Sequence, residues 1–437
     1  MLPELINSSL KQERVLKGLL RYLNIYWIGF SIYTISFIFS SIMVQPNFKL
    51  LNGLQVVGLL LFLYGALRII DYKIKNNYLK KIYIIFLFWA IITIVRGLSL
   101  NYEFLKKTLL DPYGGVFLYL TPLILLFPLK MQNIKQAFKI IQLFGIISFG
   151  CIIIYYKRLF DIGSEDAKNL IEYLAKTLSI PCGFILLTYI YHNKKHVIFS
   201  FLIIMLTLFF AIIQARRGLI FTGVSILFFF FIIIIYNNRN NINIFILIIC
   251  SIPLLIFSLG TYIGTENKLF DYLKDRKVQD TRSELELYYY ADMTNIDWVV
   301  GRGMSGLIAA PFSDAMDNDK DVTPGYRTGI ETDYLNIILK GGIISLGLMM
   351  FISLPAIILG FFYSKNTLSK AAALWITLWI LDLYPTTVTT FTLNYLLVWL
   401  SIGICYSYEI RVASEKELKK LLAPSIENFN MEEYEYS

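Results

Sequence analysis

Histidine is almost missing from this 437-residue chain: His192 and His196 occur, on either side of Lys194-Lys195, and no others. So little imidazole argues against a zinc site, and no metal or cofactor is expected. Cysteine is also scarce. Cys151, Cys182, Cys250 and Cys405 all fall inside apolar runs, where they read as small packing residues, and no disulfide framework is expected. There is no glycine loop of the nucleotide-hydrolase kind, so the energy for any reaction must come from the substrate itself. Charged residues make up only 16% of the chain against 57% hydrophobic, which excludes an ordinary soluble domain.

What the chain has instead is long apolar runs. Residues 219–236 and 242–264 carry no charge, and a hydrocarbon core needs about 20 such residues to be crossed. The same test places twelve spans near 25–44, 53–70, 82–100, 116–129, 138–156, 173–191, 197–214, 219–236, 242–264, 341–363, 371–386 and 389–408. Runs this long without alternation are helices, because lipid offers no partner for a free backbone group. The expected fold class is an all-α polytopic membrane protein. The first span lacks a small-residue cleavage site and reads as retained.

Basic residues resist translocation, so their distribution orients the spans. With the N-terminus inside, twenty Lys and Arg fall in inner segments and eight in short outer loops. Both termini are then expected in the cytoplasm. The net charge of +9 largely records this bias beside anionic lipid, and no nucleic-acid partner is needed to explain it.

The expected division is a bundle over 1–264 (spans 1–9), a large outer loop over 265–340, spans 10–12 over 341–408, and a cytoplasmic tail over 409–437. The outer loop should be mostly helical and should hold most of the chemistry. It contains Tyr288-Tyr289-Tyr290 on an amphipathic segment, the turn-rich stretch Gly301-Arg302-Gly303, an acidic run from Asp314 to Asp321, and a helical pattern over 332–340 that enters the tenth span.

Arg216 and Arg217 form the tight outer connection between the seventh and eighth spans, against the usual charge bias. Paired guanidiniums suit a phosphate, which arginine can grip at two points; snorkelling to lipid headgroups is the plainer alternative. Arg282, Arg302 and Arg327 stand in an outer loop with fourteen acidic residues against eight basic ones over 265–339. Glu331 and Asp333 precede the helix that enters the tenth span. Either could cap that helix, and one could act as a general base if burial raises its pKa. Arg68, Arg96, Lys176 and Asp382 lie within about two turns of span ends, where snorkelling is the cheaper reading.

Ala215-Arg216-Arg217-Gly218 opening a span, Arg282 ahead of Trp298 and Gly301-x-Gly303, then Glu331-x-x-x-Leu335, with Gly341-Gly342 opening the next span, resembles the bacterial O-antigen polymerase and ligase family. The resemblance covers residues 215–352 best. It implies a fold like the C-type membrane glycosyltransferases, acting on undecaprenyl-pyrophosphate-linked oligosaccharides as donor and acceptor at the outer face of the bacterial inner membrane. It implies pyrophosphate binding by Arg216 or Arg217 and by Arg282, and a base at Glu331. Arg302, Arg327, Asp333 and Tyr334 are candidate substrate contacts. Ligases of the family commonly carry histidine where this chain has Glu331, which favours a metal-independent, inverting polymerase. Such an enzyme would work with a chain-length regulator in the same membrane. The alternatives are a ligase, and a lipid-linked oligosaccharide flippase.

Overall fold

An apolar run in lipid must satisfy its backbone internally, and the long runs of this chain do so as helices. The structure, a computed structural model, describes residues 2–43, 47–97, 115–237, 281–309, 325–330, 332–386 and 390–422, with backbone alone for 2–14 and 281–284. In chain order the first ten helices are α1 (Leu2–Ile42), α2 (Phe48–Ile69), α3 (Asn77–Arg96), α4 (Phe117–Leu120), α5 (Lys130–Ile154), α6 (Tyr156–Leu159), α7 (Glu165–Leu174), α8 (Cys182–Leu187), α9 (Lys194–Ile213) and α10 (Arg217–Asn237). There follow α11 (Thr281–Asp292), α12 (Asn295–Val300), the ribbon strands β1 (Ile308–Ala309) and β2 (Tyr326–Arg327), α13 (Asp333–Phe362), α14 (Thr367–Asp382), α15 (Leu393–Tyr406), α16 (Tyr408–Val412) and α17 (Glu415–Leu422).

Among the described residues, seven helices are long and apolar enough to cross a membrane: α1, α2, α3, α5, α9, α10 and α13. The expected span at 242–264 lies outside the described residues, as do the acidic run from Asp314 to Asp321 and the tail beyond 422. The remaining four expected spans hold shorter pieces. At 116–129, α4 passes into a 3-10 turn, Thr121–Leu126, with Pro122 in its first turn. At 371–386 and 389–408 stand α14 and α15, of 16 and 14 residues.

The segment 173–191 departs most from expectation. In place of one continuous helix it runs from the end of α7 through a π turn (Ala175–Ser179) and Pro181 into α8, then a 3-10 turn (Tyr189–Tyr191). Pro181 has no N–H to continue the ladder, and the turn before it carries the buried polar residues Lys176, Thr177 and Ser179. A broken helix inside a bundle is tolerated where side chains and neighbours take up the freed groups. Here Thr207 on α9 donates to Ser179 Oγ at 2.9 Å.

Side-chain bonds gather the helix ends into two groups. At one end Lys75 pairs with Glu409 at 2.7 Å, Arg411 donates to the Tyr363 carbonyl, and Thr367 bonds both Asn237 and Glu415. At the other, Arg158 donates to the Ile42 carbonyl, Arg96 to the Val300 carbonyl at 2.9 Å, and Tyr334 N–H to the Leu383 carbonyl at 3.1 Å.

The segment between α10 and α13 has its own core: Leu285, Tyr289, Met293, Ile308 and Ile330 pack with Leu335, Ile338 and Leu339 of α13 in a cluster separate from the main one. It is not wholly helical, because β1 and β2 pair antiparallel with Ile308 opposite Arg327. Tyr289 is fully buried and donates to the Leu335 carbonyl at 3.0 Å, while Tyr288 and Tyr290 stay exposed, as the amphipathic pattern requires.

Candidate functional site

The arginine corner is built on a strained turn. α9 ends at Ile213, and α10 begins only four residues later, so the chain must reverse within Gln214-Ala215-Arg216. Ala215 takes φ of 52°, alone among the described non-glycine residues in being left-handed, a conformation that costs an L-residue roughly 1–2 kcal/mol. Buried Gln214 secures the turn by donating to the carbonyls of Leu159 and Asp161, at 2.9 and 3.2 Å.

That turn aims Arg216 at α7. Its guanidinium meets Glu172 at 3.2 Å and Asn169 at 3.1 Å, while buried Nε finds no partner among the described residues. Glu172 is shared, since its other oxygen accepts from Lys176 Nζ at 2.7 Å. Arg217, the first residue of α10, is exposed at the same end. Sequence reasoning found both arginines and missed Glu172 and Asn169, which are ordinary helix residues until the fold sets α7 beside the turn.

Lys176 also lines a pocket of about 460 Å³, measured with its open mouth, between the π turn, α10, α14 and α15. Asp382, buried at the end of α14, faces the same pocket and accepts from Thr222 at 2.9 Å. Trp379 closes another wall, and its buried Nε1 has no partner among the described residues. Snorkelling was the cheaper expectation for Lys176 and Asp382. The structure buries both instead, Lys176 against Glu172 and Asp382 against Thr222.

The glycine motifs of the outer loop and of α13 meet each other. Gly342 interrupts α13 with φ of 70°, and a Cβ there would lie 2.0 Å from the Val299 carbonyl oxygen. Gly301, at φ of 69°, closes the contact from the loop side, where a Cβ would lie 2.6 Å from Gly342 N. The backbones bond directly, Arg302 N–H to the Leu339 carbonyl at 2.7 Å and Gly303 N–H to the Lys340 carbonyl at 2.9 Å. Lys340 Nζ then reaches the carbonyls of Gly306 and Thr328. As expected, the helical pattern over 332–340 runs on into the tenth span, within the single helix Asp333–Phe362, but that helix kinks at Gly342, where the loop docks. Arg96, also expected to snorkel, fastens that loop through the carbonyls of Val300 and Gly301.

Arg302 is fully engaged inside the loop. Nε and Nη2 bond Asp297, Nη1 bonds Asp292 and the Leu307 carbonyl, and Nη2 also bonds the Asp292 carbonyl. A guanidinium has five N–H donors, and these contacts occupy all of them. Burial by itself would raise the Asp297 carboxyl, but bonds from Thr294 and Arg302 outweigh it and hold it below the usual carboxylate range. Arg302 thus reads as a fastening of the loop, with no donor left over for a substrate.

The remaining candidates fall only partly within the described residues. Glu331 lies outside the described residues, as does the side chain of Arg282, whose backbone starts α11. Their neighbours are described. Thr332 Oγ1 donates to Glu286, one turn along α11 from position 282. Asp333 is buried in the first turn of α13; the N-cap is Thr332, so the expected capping role does not fall to Asp333. Tyr334 lies against Tyr384, and Arg327 sits half-buried on β2. Contacts run on from there to the arginine corner, since a Cβ at Gly218 would lie 2.7 Å from the Pro385 carbonyl oxygen. Compared with protein-family models, curated proteins and solved structures, the chain matches none.

Proposed function

We propose that this protein is a polysaccharide polymerase that transfers a lipid-pyrophosphate-linked glycan onto a new lipid-linked repeat unit at the outer face of the bacterial inner membrane. Undecaprenyl pyrophosphate is the carrier, and O-antigen or a similar surface polysaccharide is the product. Both termini are cytoplasmic in this reading, and the loop with α11, α12 and the ribbon is periplasmic. The observation that carries it is Arg216. A left-handed alanine and a buried guanidinium Nε without a partner among the described residues stand side by side at one turn. Strain and an unsatisfied buried donor together are expensive, and they concentrate where a ligand is to be held.

In the reaction the acceptor hydroxyl gives its proton to Glu331 while its oxygen bonds the donor anomeric carbon from the face opposite the pyrophosphate. The anomeric carbon–oxygen bond breaks, and its electron pair leaves with the lipid pyrophosphate. Arg216, Arg217 and Arg282 hold the charge that gathers on the phosphates; a fixed cation is worth most where charge develops in a site that excludes water. Glu172 and Lys176 orient Arg216 for that task.

The test is the glycan ladder of a deletion strain complemented with variants. Arg216→Ala and Arg282→Ala should each reduce polymer about 10²-fold or more, leaving single capped repeat units with the protein still in the membrane. Glu331→Gln should lose transfer and keep donor binding. Normal ladders from all three would refute the reading, and unattached long polymer would favour a ligase instead.

A further inference from the structure

Four aromatic rings from different parts of the chain form one continuous surface at the outer end. Trp298 on α12 and Tyr290 on α11 stack in parallel, 5.8 Å between centroids and 10° between planes. Tyr290 Oη meets Tyr334 Oη at 3.5 Å, and the Tyr334 ring lies parallel to that of Tyr384 at 6.5 Å and 15°. The outer two tyrosines present open faces: Tyr290 is 47% exposed and Tyr384 66%. Buried Tyr289 supports the row from below, edge-on to both Tyr290 and Trp298. The Tyr334 N–H bond to the Leu383 carbonyl fixes the backbone that carries Tyr384. Pro385 then abuts Gly218, next to Arg217.

We infer that this row is a glycan-binding track that holds the sugar rings of the growing chain and leads them to the arginine corner. The inference rests on the polymerase reading above and names how its polymer is gripped. The electron-rich face of an aromatic ring attracts the partly positive C–H bonds on one face of a pyranose, while rim hydroxyls bond neighbouring polar groups. Rings in parallel pairs provide flat, successive platforms of this kind, with few rotatable bonds to freeze on binding.

Tyr and Trp also collect at membrane interfaces, where they meet lipid headgroups. Two observations favour sugar here. Tyr290 and Trp298 stand on α11 and α12, which pack with the first turns of α13 in a cluster separate from the main hydrophobic core. Residues 281–303 carry Glu284, Glu286, Asp292 and Asp297 against Arg282 and Arg302; with Asp292 and Asp297 paired to Arg302, Glu284 and Glu286 still leave the segment net acidic, a balance that disfavours an anionic lipid surface and suits a neutral, hydroxyl-rich ligand.

The test uses the purified full chain in nanodiscs and, as probe, the delipidated polymer released by mild acid from the parent cells. Trp298 emission, isolated by difference against Trp298→Phe, should respond to this glycan and should not be quenched by brominated phosphatidylglycerol. Tyr290→Ala and Tyr384→Ala should each weaken glycan binding roughly two- to tenfold. In cells they should shorten the ladder while single additions continue; Tyr290→Phe, which keeps the ring, should leave it unchanged. Quenching by the brominated lipid without a glycan response would make the row a membrane anchor and overturn the inference. Wild-type ladders from both alanine variants would overturn it as well. A deletion strain with undiminished polymer would instead sink the polymerase reading itself.

Discussion

Arg216 and Arg302 look alike in the sequence, each an arginine within two residues of glycine, yet their surroundings separate them. Arg302 gives all five donors to Asp292, Asp297 and backbone carbonyls, whereas Arg216 keeps Nε buried, without a partner among the described residues, beside the strained Ala215. Arg302→Ala should therefore act on stability. It strands two carboxylates and should cost about 3 kcal/mol, seen as early proteolysis of the outer segment, with Arg302→Lys recovering part because lysine lacks the fork. The pH dependence has a definite sign. Asp297 is held below its ordinary value, so its contribution is fully present above about pH 4 and fades as pH falls through the lowered pKa. Protection of the segment should be flat from pH 5 to 8 and fall only in stronger acid. None of this division was legible in the sequence, because which carboxylates reach which arginine depends on how α11 and α12 fold back.

At the level of elements, α13 shows how a span can be interrupted for a purpose. Its break at Gly342 is made by the docked loop, where glycine faces glycine across a contact too close for any side chain. Gly342→Ala should destabilise the protein by at least about 2 kcal/mol, from backbone strain and overlap together. Gly347→Ala, one turn on in the same helix, meets nothing within 4 Å and should be neutral or stabilising by up to about 1 kcal/mol. Thermal unfolding of the two variants side by side checks the contrast. Gly341-Gly342 and Gly301-x-Gly303 were visible as motifs in the sequence, but their mutual contact was not. The π turn at Ala175–Ser179 was equally hidden, since hydropathy averages over a window and a single register change inside 173–191 leaves that average intact.

For the molecule as a whole, the orientation rests on the uneven distribution of basic residues along the sequence, and it can be tested directly. Single cysteines placed at Ile296 and at Lys416 provide the check, in a background with the native cysteines replaced. An impermeant maleimide added to intact spheroplasts should label Ile296→Cys and spare Lys416→Cys until the membrane is opened. The reverse pattern would place the arginine corner in the cytoplasm and remove it from any periplasmic glycan.

Helical class, membrane character, a long folding segment ahead of the tenth span and the prominence of Arg216 came from the sequence alone, whereas Lys176 and Asp382 read there as snorkelling charges. Transfer from water to hydrocarbon is a sum over neighbouring residues, so it can be read locally. Pairing is different. Tertiary structure alone decided that Glu172 links Arg216 to Lys176, that Thr222 meets Asp382 across 160 positions, and that Trp298, Tyr290, Tyr334 and Tyr384 line up as one surface. These contacts join elements distant in sequence, and their geometry is set by how close the helices can pack.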